Sequence, residues 1–237
     1  MTPKKKGRVA LERALSKLGL CSRAEASQKI RDGQVKVHGV VEANPLRLVN
    51  PDSAHIEIEG KKVSHAETLL VLFHKPKGVV TTKRDPEGRK TIYDLLPAEY
   101  YHLHPVGRLD MNSTGLLLLT NNTKLSHFLT GAENRITRVY IVKVKGEVLL
   151  KTLTQFREGV VLDGESLRAE KVKALKTSGK ESTLELTLIE GKNREIRRLA
   201  LALGHEVMTL KRISYGPYQL GDLGVGGHQI IEGVEGY

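Results

Sequence analysis

The chain has 237 residues, of which 39% are hydrophobic and 27% are charged, as is typical of a folded protein with one or two domains. No apolar run approaches the roughly 20 residues that a membrane-spanning helix needs, which argues against an integral membrane protein. The 38 Lys and Arg exceed the 27 Asp and Glu, which gives a net charge of +11 and predicts a polyanionic partner. A single cysteine, Cys21, excludes an intramolecular disulfide and favours a cytoplasmic location.

The positive charge is concentrated at the start of the chain. Residues 1–65 contain 13 Lys and Arg against 7 Asp and Glu, whereas the remaining 172 residues contain 25 against 20. No long basic amphipathic helix with bulky apolar residues is evident, so nucleic acid is favoured over an anionic membrane surface. We predict a small basic module at residues 1–65, beginning with a flexible basic tail, and a larger domain at residues 66–237.

Two short helices are predicted in the basic module. Residues 9–18 show apolar positions at helical spacing, and Ser22 with Glu25 has the spacing of a capping box that starts a second helix. The second helix is expected to end near Arg31, so that Arg23, Lys29 and Arg31 form a cationic face together with the tail lysines. Short strands are predicted at residues 34–39 and 54–60.

This order of elements resembles the αL-type RNA-binding domain first seen in a small-subunit ribosomal protein, the S-four domain. The resemblance rests on residues 18–26 and 30–39. It implies that Arg23, Lys29 and Arg31 bind RNA. The alternative is a generic helical hairpin with a solvated charged face.

The larger domain begins after a predicted linker at residues 65–68. Pro76 and Gly78 are expected to end its first strand and to leave Lys75 and Lys77 in a loop. Strands dominate without regular βαβ alternation, which predicts an α+β fold with a mainly antiparallel mixed sheet flanked by helices. The predicted strands are 69–73, 138–145, 183–189 and 206–213, the predicted helices are 149–156 and 193–203, and a glycine-rich tail starts at residue 216.

The most distinctive turn of the chain contains Asp110 and Arg108 between Gly107 and Gly115. Four leucines follow it, which predicts either a fully buried strand or the start of a core helix. A polar turn mounted on a buried element is typical of an active site, because the rigid core fixes the functional groups of the turn. A local ion pair between the two side chains is the alternative.

A second basic cluster, Arg194, Arg197 and Arg198, lies at a predicted helix start, where the free backbone amides favour anions. A solvated charged face is the alternative. The sequence has no Cys and His cluster at metal spacing, no phosphate-binding loop and no dinucleotide fingerprint. The scattered histidines are interpreted as surface or hydrogen-bonded residues.

Four stretches occur in the order found in ribosomal RNA pseudouridine synthases, and the chain resembles the RsuA/RluB branch of that family. The stretches are residues 74–78, 107–121, 138–140 and 190–199. The amino-acid sequences of residues 103–108 and 191–195 resemble those of RluB-like enzymes, which act on 23S ribosomal RNA of the large subunit. The chain departs from the family at residues 122–123, at Asn112 and Thr114, and at Glu195 and Leu199.

The resemblance implies base flipping and an isomerisation that needs no metal and no organic cofactor. Asp110 would be the catalytic carboxylate, Arg197 would pair with it, and Tyr140 would stack on the uracil. Arg108 would fill the gap left by the flipped nucleotide, and Ile196 would line the pocket. Among the other basic residues, Lys75, Lys77, Arg194 and Arg198 are expected to contact RNA.

Two other functions compete with this one. A non-catalytic RNA-binding or ribosome-assembly factor would use the same basic surfaces but has no use for a carboxylate aimed at a polyanion. A glycosidase-like nucleoside enzyme usually needs two cooperating carboxylates, and no second one is evident near Asp110 in the sequence. Ribosomal RNA is therefore the expected partner, with no membrane, no obligate protein partner and a monomeric state.

Overall fold

The computed structural model describes residues 7–51, 53–63 and 67–234. Most of the predicted basic tail, with Lys4, Lys5 and Lys6, and part of the predicted linker lie outside the described residues. The chain divides into two compact units. The first extends to Leu69 and includes Asn121–Thr123, and the second comprises Leu70–Thr120 and Lys124–Gly233.

The first unit contains two helices, α1 (Leu11–Lys17) and α2 (Arg23–Arg31), at the predicted places. The capping box is complete: the amide of Glu25 donates to the Ser22 hydroxyl at 3.2 Å, and the amide of Ser22 donates to the Glu25 carboxylate at 2.7 Å. The strands of this unit are β1 (Val9–Ala10), β2 (Val35–Val37), β3 (Val40–Val41), β4 (Leu48–Val49), β5 (Ile56–Ile58) and β6 (Lys61–Lys62).

The strands of the first unit form a pair, β1–β4, and a four-stranded antiparallel sheet in the order β3-β2-β5-β6. The apolar faces of both helices and of β2 and β5 are buried in one core. This core confirms the apolar spacing on which the helices were predicted.

The second unit is built on a nine-stranded sheet. Its path is β13-β14-β10-β15-β9-β7-β17, with β16 paired to β15 and β8 paired to β9. The strands are β7 (Leu70–Lys75), β8 (His104–Val106), β9 (Thr114–Thr120), β10 (Arg138–Lys145), β13 (Lys171–Thr177), β14 (Glu181–Leu188), β15 (Val207–Tyr215), β16 (Tyr218–Gln219) and β17 (His228–Ile231), and β11 (Val160–Leu162) with β12 (Glu165–Leu167) forms a separate hairpin.

The leucine run forms the buried central strand β9, not a helix, and the predicted strand 138–145 matches β10. All pairings in the large sheet are antiparallel except β15 with β9. The prediction of an α+β domain with a mainly antiparallel mixed sheet is therefore confirmed.

Three helices accompany this sheet: α3 (Thr123–Thr130), α4 (Leu150–Glu158) and α5 (Glu195–Ala202). Helix α5 starts two residues later than predicted, because Arg194 has a left-handed backbone with φ of 48° and caps the helix instead of joining it. The glycine-rich tail is ordered through β17, which adds an edge strand to β7.

Candidate active site

Asp110 lies in the turn between β8 and β9, where two backbone hydrogen bonds shape the chain. The amide of Ser113 donates to the carbonyl of Asp110 at 3.0 Å, and the amide of Gly78 donates to the carbonyl of Met111 at 2.8 Å. The Asp110 side chain is 36% exposed. The carboxylate is therefore held on a rigid turn at the end of a buried strand and remains accessible.

Lys75 supports this turn through hydrogen bonds to its backbone. It is the last residue of β7 and is fully buried. Its ammonium group donates to the backbone carbonyls of Asp110 at 3.1 Å and Ser113 at 3.0 Å, and also to those of Pro76 and Met111. The prediction of Lys75 as an RNA-contacting loop residue is wrong, since β7 continues two residues beyond Phe73 and the turn that contains Asp110 covers the side chain.

Burial lowers the pKa of Lys75 to about 8, and the nearby Asp110 carboxylate acts in the opposite direction. Thr81 adds a further brace, because its hydroxyl donates to the carbonyl of Leu109 at 2.8 Å. The turn is thus fixed on both sides of Asp110 by side chains that are themselves buried.

Two arginines face the Asp110 carboxylate. One carboxylate oxygen lies 3.8 Å from Nε of Arg197 and 3.8 Å from Nη1 of Arg194. Among the described residues no ion pair joins Asp110 to Arg108, so the alternative of a local ion pair within the turn is wrong. Both distances exceed hydrogen-bond length, so these contacts are electrostatic.

Arg197 is the more buried of the two, with a side chain 14% exposed against 53% for Arg194. Its guanidinium also donates to the carbonyl of Asn112 at 3.1 Å and to that of Val207 at 3.3 Å. Burial and the positive charge of Arg194 lower the pKa of Arg197, whereas the negative charge of Asp110 acts to raise it. Arg197 is therefore anchored to the turn that contains Asp110, whereas the Arg194 side chain is largely exposed.

Arg198 contacts a different part of the molecule. Its guanidinium donates to Glu165 at 2.5 Å and lies 3.7 Å from Asp163, both on the β11–β12 hairpin. The prediction that Arg198 contacts RNA is not supported by this geometry, because acidic side chains already neutralise it.

A pocket with a volume of about 190 Å³ opens beside Asp110. This is below the roughly 300–1,000 Å³ of sites for drug-sized ligands, so it suits a group the size of one base or sugar. Tyr140 and Ile196, both predicted site residues, line it and are buried. Its other linings include Arg108, Arg194, Arg197, Leu188 and Leu210.

A second carboxyl group lines the same pocket, contrary to the expectation from the sequence. Glu195 is buried, and its carboxylate accepts a hydrogen bond from the amide of Lys192 at 3.1 Å. Burial raises the pKa of Glu195, while the hydrogen bond from Lys192 opposes this effect.

Two buried arginines lie under the pocket and were not predicted as site residues. Arg138 donates to the carbonyls of Ile136, Ile189 and Leu129 and to the Tyr215 hydroxyl. Arg212 packs on the same tyrosine, and the guanidinium carbons of Arg138 and Arg212 lie 4.7 and 4.9 Å from the centre of the Tyr215 ring. Strand alternation was the available signal, because Arg138 shares a face with Tyr140 and Arg212 shares a face with Leu210.

The remaining predicted RNA contacts are spread over exposed positions. Lys77 and Arg108 are exposed in the second unit. In the first unit Arg31 is exposed, but Arg23 pairs with Glu12 at 2.5 Å and Lys29 pairs with Glu59 at 2.7 Å. The predicted cationic face of α2 is thus partly neutralised by Glu12 of α1 and by Glu59, which lies between β5 and β6.

The described part of the chain has no helix that is both long and apolar enough to cross a membrane. It also contains no group of three or more His, Cys, Asp or Glu side chains arranged to hold a metal ion.

Comparison with known proteins identifies the second unit. Residues 69–202 match the family described as RNA pseudouridylate synthase. Over 92% of this chain and 88% of the relative, the sequence is 36% identical to an uncharacterised RNA pseudouridine synthase of Aquifex aeolicus. It is 35% identical to ribosomal large subunit pseudouridine synthase B of Bacillus subtilis, over 91% of this chain and 89% of the relative.

A solved structure supports the same assignment. A crystal structure of a pseudouridylate synthase superposes with a TM-score of 0.65 and 26% sequence identity, covering 94% of this chain and 96% of that one.

Proposed function

Because the chain belongs to the RNA pseudouridylate synthase family, whose members isomerise uridine in RNA, we propose that its substrate is 23S ribosomal RNA of the large subunit. The name of the Bacillus subtilis relative, which aligns over nearly the whole chain, supports the choice of RNA. The observation that carries the choice of active site is the Asp110 carboxylate, which borders a base-sized pocket and faces two arginines.

The reaction breaks the bond between uracil N1 and ribose C1′ and forms a bond between C5 and C1′. A proton leaves C5 and N1 gains one, so atoms and charge balance without an oxidant or reductant. Asp110 acts on the sugar, by attack at C1′ or by removal of the C2′ proton. Either role requires an ionised carboxylate, and the positive charge of Arg197 lies 3.8 Å from it.

The pocket holds the flipped uridine next to this carboxylate. Flipping costs a few kcal/mol, which stacking and hydrogen bonds in the pocket offset. The buried ring of Tyr140 stacks on the uracil, and Ile196 adds apolar contact. Arg108 is exposed at the mouth and fills the gap in the RNA, while Lys77 and Arg194 contact phosphate.

The first unit docks the RNA as an S-four domain. Two packed helices followed by small strands support this proposal, as does the high density of Lys and Arg in residues 1–65. Arg23, Lys29 and Arg31 would exchange their carboxylate partners or water for RNA phosphates. The enzyme is proposed to act as a monomer.

The competing functions are not favoured. Family membership argues against a non-catalytic assembly factor. The sequence argument against a glycosidase-like enzyme is wrong, since Glu195 is a second carboxyl in the pocket, but the family identity assigns isomerisation instead of hydrolysis.

Tritium release from uridine labelled at C5 tests this function, because the C5 proton is lost in the reaction. Wild type should release tritium from 23S RNA but not from 16S RNA. Asp110→Asn should abolish release, since the amide is neither nucleophile nor base, while Asp163→Asn, which alters an exposed carboxylate outside the pocket, should not. Release from 16S RNA alone would overturn the substrate assignment, and turnover by Asp110→Asn within about tenfold of wild type would overturn the catalytic one.

A further inference from the structure

Arg212 is buried beneath the pocket with one nitrogen that lacks a protein partner. The residue is 3% exposed and lines the pocket beside Asp110 and Tyr140. In the described part of the chain, its Nη2 atom has no hydrogen-bond acceptor. The neighbouring Arg138 differs, because its terminal nitrogens reach four acceptors. Arg197, which also lines the pocket, has an unpartnered Nε, but that atom faces the Asp110 carboxylate at 3.8 Å. Among the described residues, Arg212 has no such ion pair.

The guanidinium of Arg212 is held in place although Nη2 is unpaired. Its Nε donates to the carbonyl of Leu116 at 2.7 Å, and its plane lies over the Tyr215 ring. A buried cationic donor without an acceptor destabilises a protein, because it has lost its hydration without compensation. A substrate atom that accepts a hydrogen bond from Nη2 would supply that compensation.

The register of the sheet places Arg212 directly opposite Tyr140 on the adjacent strand. Opposed residues in an antiparallel pair project from the same face with their Cβ atoms about 5 Å apart. If Tyr140 stacks on the face of the uracil, Arg212 lies next to the edge of the same base. Enzymes that flip bases read them by hydrogen bonds to that edge.

Phosphate is a poor candidate for the acceptor. The phosphates of a bound RNA follow the protein surface, where Arg108 and Arg194 are exposed around the mouth of the pocket. Arg212 is buried, and the pocket accommodates a group the size of a base. Uracil presents two carbonyl oxygens, O2 and O4, as acceptors for such a donor.

We propose that Nη2 of Arg212 donates a hydrogen bond to a carbonyl oxygen of the flipped uracil and thereby orients the base in the pocket. The inference rests on the proposed function, which supplies the uridine. A bond to O4 would discriminate against cytosine, which has an amino group there. A bond to O2 would orient the base without that discrimination.

Binding of uridine 5′-monophosphate and its 2-thio and 4-thio analogues tests the proposal, because sulfur accepts hydrogen bonds weakly. Wild type should bind one of the two analogues about tenfold more weakly than the parent nucleotide. In Arg212→Met this ratio should approach one. Lys211→Met is the matched control, since it removes a cation from the other face of the same strand and should keep the wild-type ratio.

The outcomes separate cleanly. Weaker binding of the 4-thio analogue, accompanied by weaker binding of cytidine 5′-monophosphate, assigns O4, and weaker binding of the 2-thio analogue alone assigns O2. Equal binding of uridine 5′-monophosphate and both of its thio analogues by wild type would overturn the proposal, even if Arg212→Met fails to fold. An unchanged ratio in a folded Arg212→Met protein would overturn it as well. Tritium release by wild type is measured separately, so a failure of the proposed function is distinguishable from a failure at Arg212.

Discussion

The ammonium group of Lys75 lies 3.1 Å from the backbone carbonyl oxygen of Asp110 and donates a hydrogen bond to it. A residue at the end of β7 therefore fixes the backbone of the proposed catalytic residue, 35 positions later in the chain. The contact is made through the backbone, so it positions the carboxylate without occupying it.

Lys75→Met should slow isomerisation about a hundredfold, because a displacement of the catalytic group by about 1 Å has an effect of that size. The variant leaves buried carbonyls without their donor and should also be less stable. Lys77→Met is the matched control two residues away: its side chain is exposed, so it should weaken RNA binding but leave the single-turnover rate at saturating RNA unchanged. Equal rates for the two variants would contradict the positioning role.

The titration of Lys75 should be directly observable. Burial lowers its pKa to about 8 in the folded protein, below the ordinary value of 10.5. The unfolded chain thus binds more protons between about pH 8 and 10.5, and this group makes folding more favourable as pH rises through that window. Side-chain nitrogen NMR of labelled lysines should reveal one midpoint near 8 that is absent in Lys75→Met. If all lysines titrated near their ordinary value, the burial of this ammonium would be wrong.

Glu195 should show the opposite pH dependence. Burial raises its pKa above the ordinary 4.5, so its contribution to stability is present at low pH and is lost as pH rises through the folded pKa. Glu195→Gln should therefore be at least as stable as wild type at pH 7, since an amide oxygen can still accept from Lys192. Glu181→Gln is a useful contrast, because Lys143 lowers the pKa of Glu181 and its removal should not stabilise the protein. Urea unfolding at pH 5 and pH 7 provides the comparison.

The three arginines near α5 should rank by whether they face Asp110 and by how deeply they are buried. Arg197→Met removes the buried cation that faces Asp110 and should reduce the single-turnover rate most, because its guanidinium also holds the turn through the carbonyl of Asn112. Arg194→Met should have a smaller effect, since its side chain is largely exposed. Arg198→Met should leave the rate unchanged and disturb only the contact with the β11–β12 hairpin. A rate loss for Arg198→Met equal to that of Arg197→Met would refute this order.

Gly115 should tolerate no side chain. A Cβ atom there would collide with the backbone of Arg212, its partner in the parallel β9–β15 pair, and its φ is +103°. Gly78 also has a positive φ, of +82°, but a Cβ would meet nothing within 4 Å. Gly78→Ala should therefore destabilise by about 1–2 kcal/mol from backbone strain alone, and Gly115→Ala by well over that. Equal urea midpoints for Gly115→Ala and Gly78→Ala would show that β9 and β15 can move apart to accommodate a side chain.

RNA docking by the first unit should depend on salt. Replacing Arg23, Lys29 and Arg31 together by Gln should lower affinity and reduce the salt slope by about one for each RNA phosphate that is no longer neutralised. The control replaces Lys171, Lys173 and Lys176 of β13 by Gln, which changes net charge equally. If both variants lowered the slope alike, the effect would reflect total charge and not docking by α2.

The sequence by itself determined the elements with strong local patterns. The capping box at Ser22 and the strand at residues 138–145 follow from the spacing of neighbouring residues, which is set by the backbone geometry of helices and strands. The leucine run predicted a buried element, and only the structure shows that it is a strand and not a helix. The order of four motifs was enough to identify the family and to select Asp110, Tyr140 and Arg197 for the site.

Tertiary structure decided which charged side chains are accessible. A lysine after a strand and before Pro76 is expected in solvent, but Lys75 is buried because the distant turn around Asp110 covers it. Arg212 is buried for a similar reason, through β9 and the Tyr215 ring, and Arg198 is neutralised by a hairpin more than 30 residues earlier. Whether solvent reaches a side chain depends on segments that are distant in the sequence and pack against it. The spacing of neighbouring residues does not reveal those contacts.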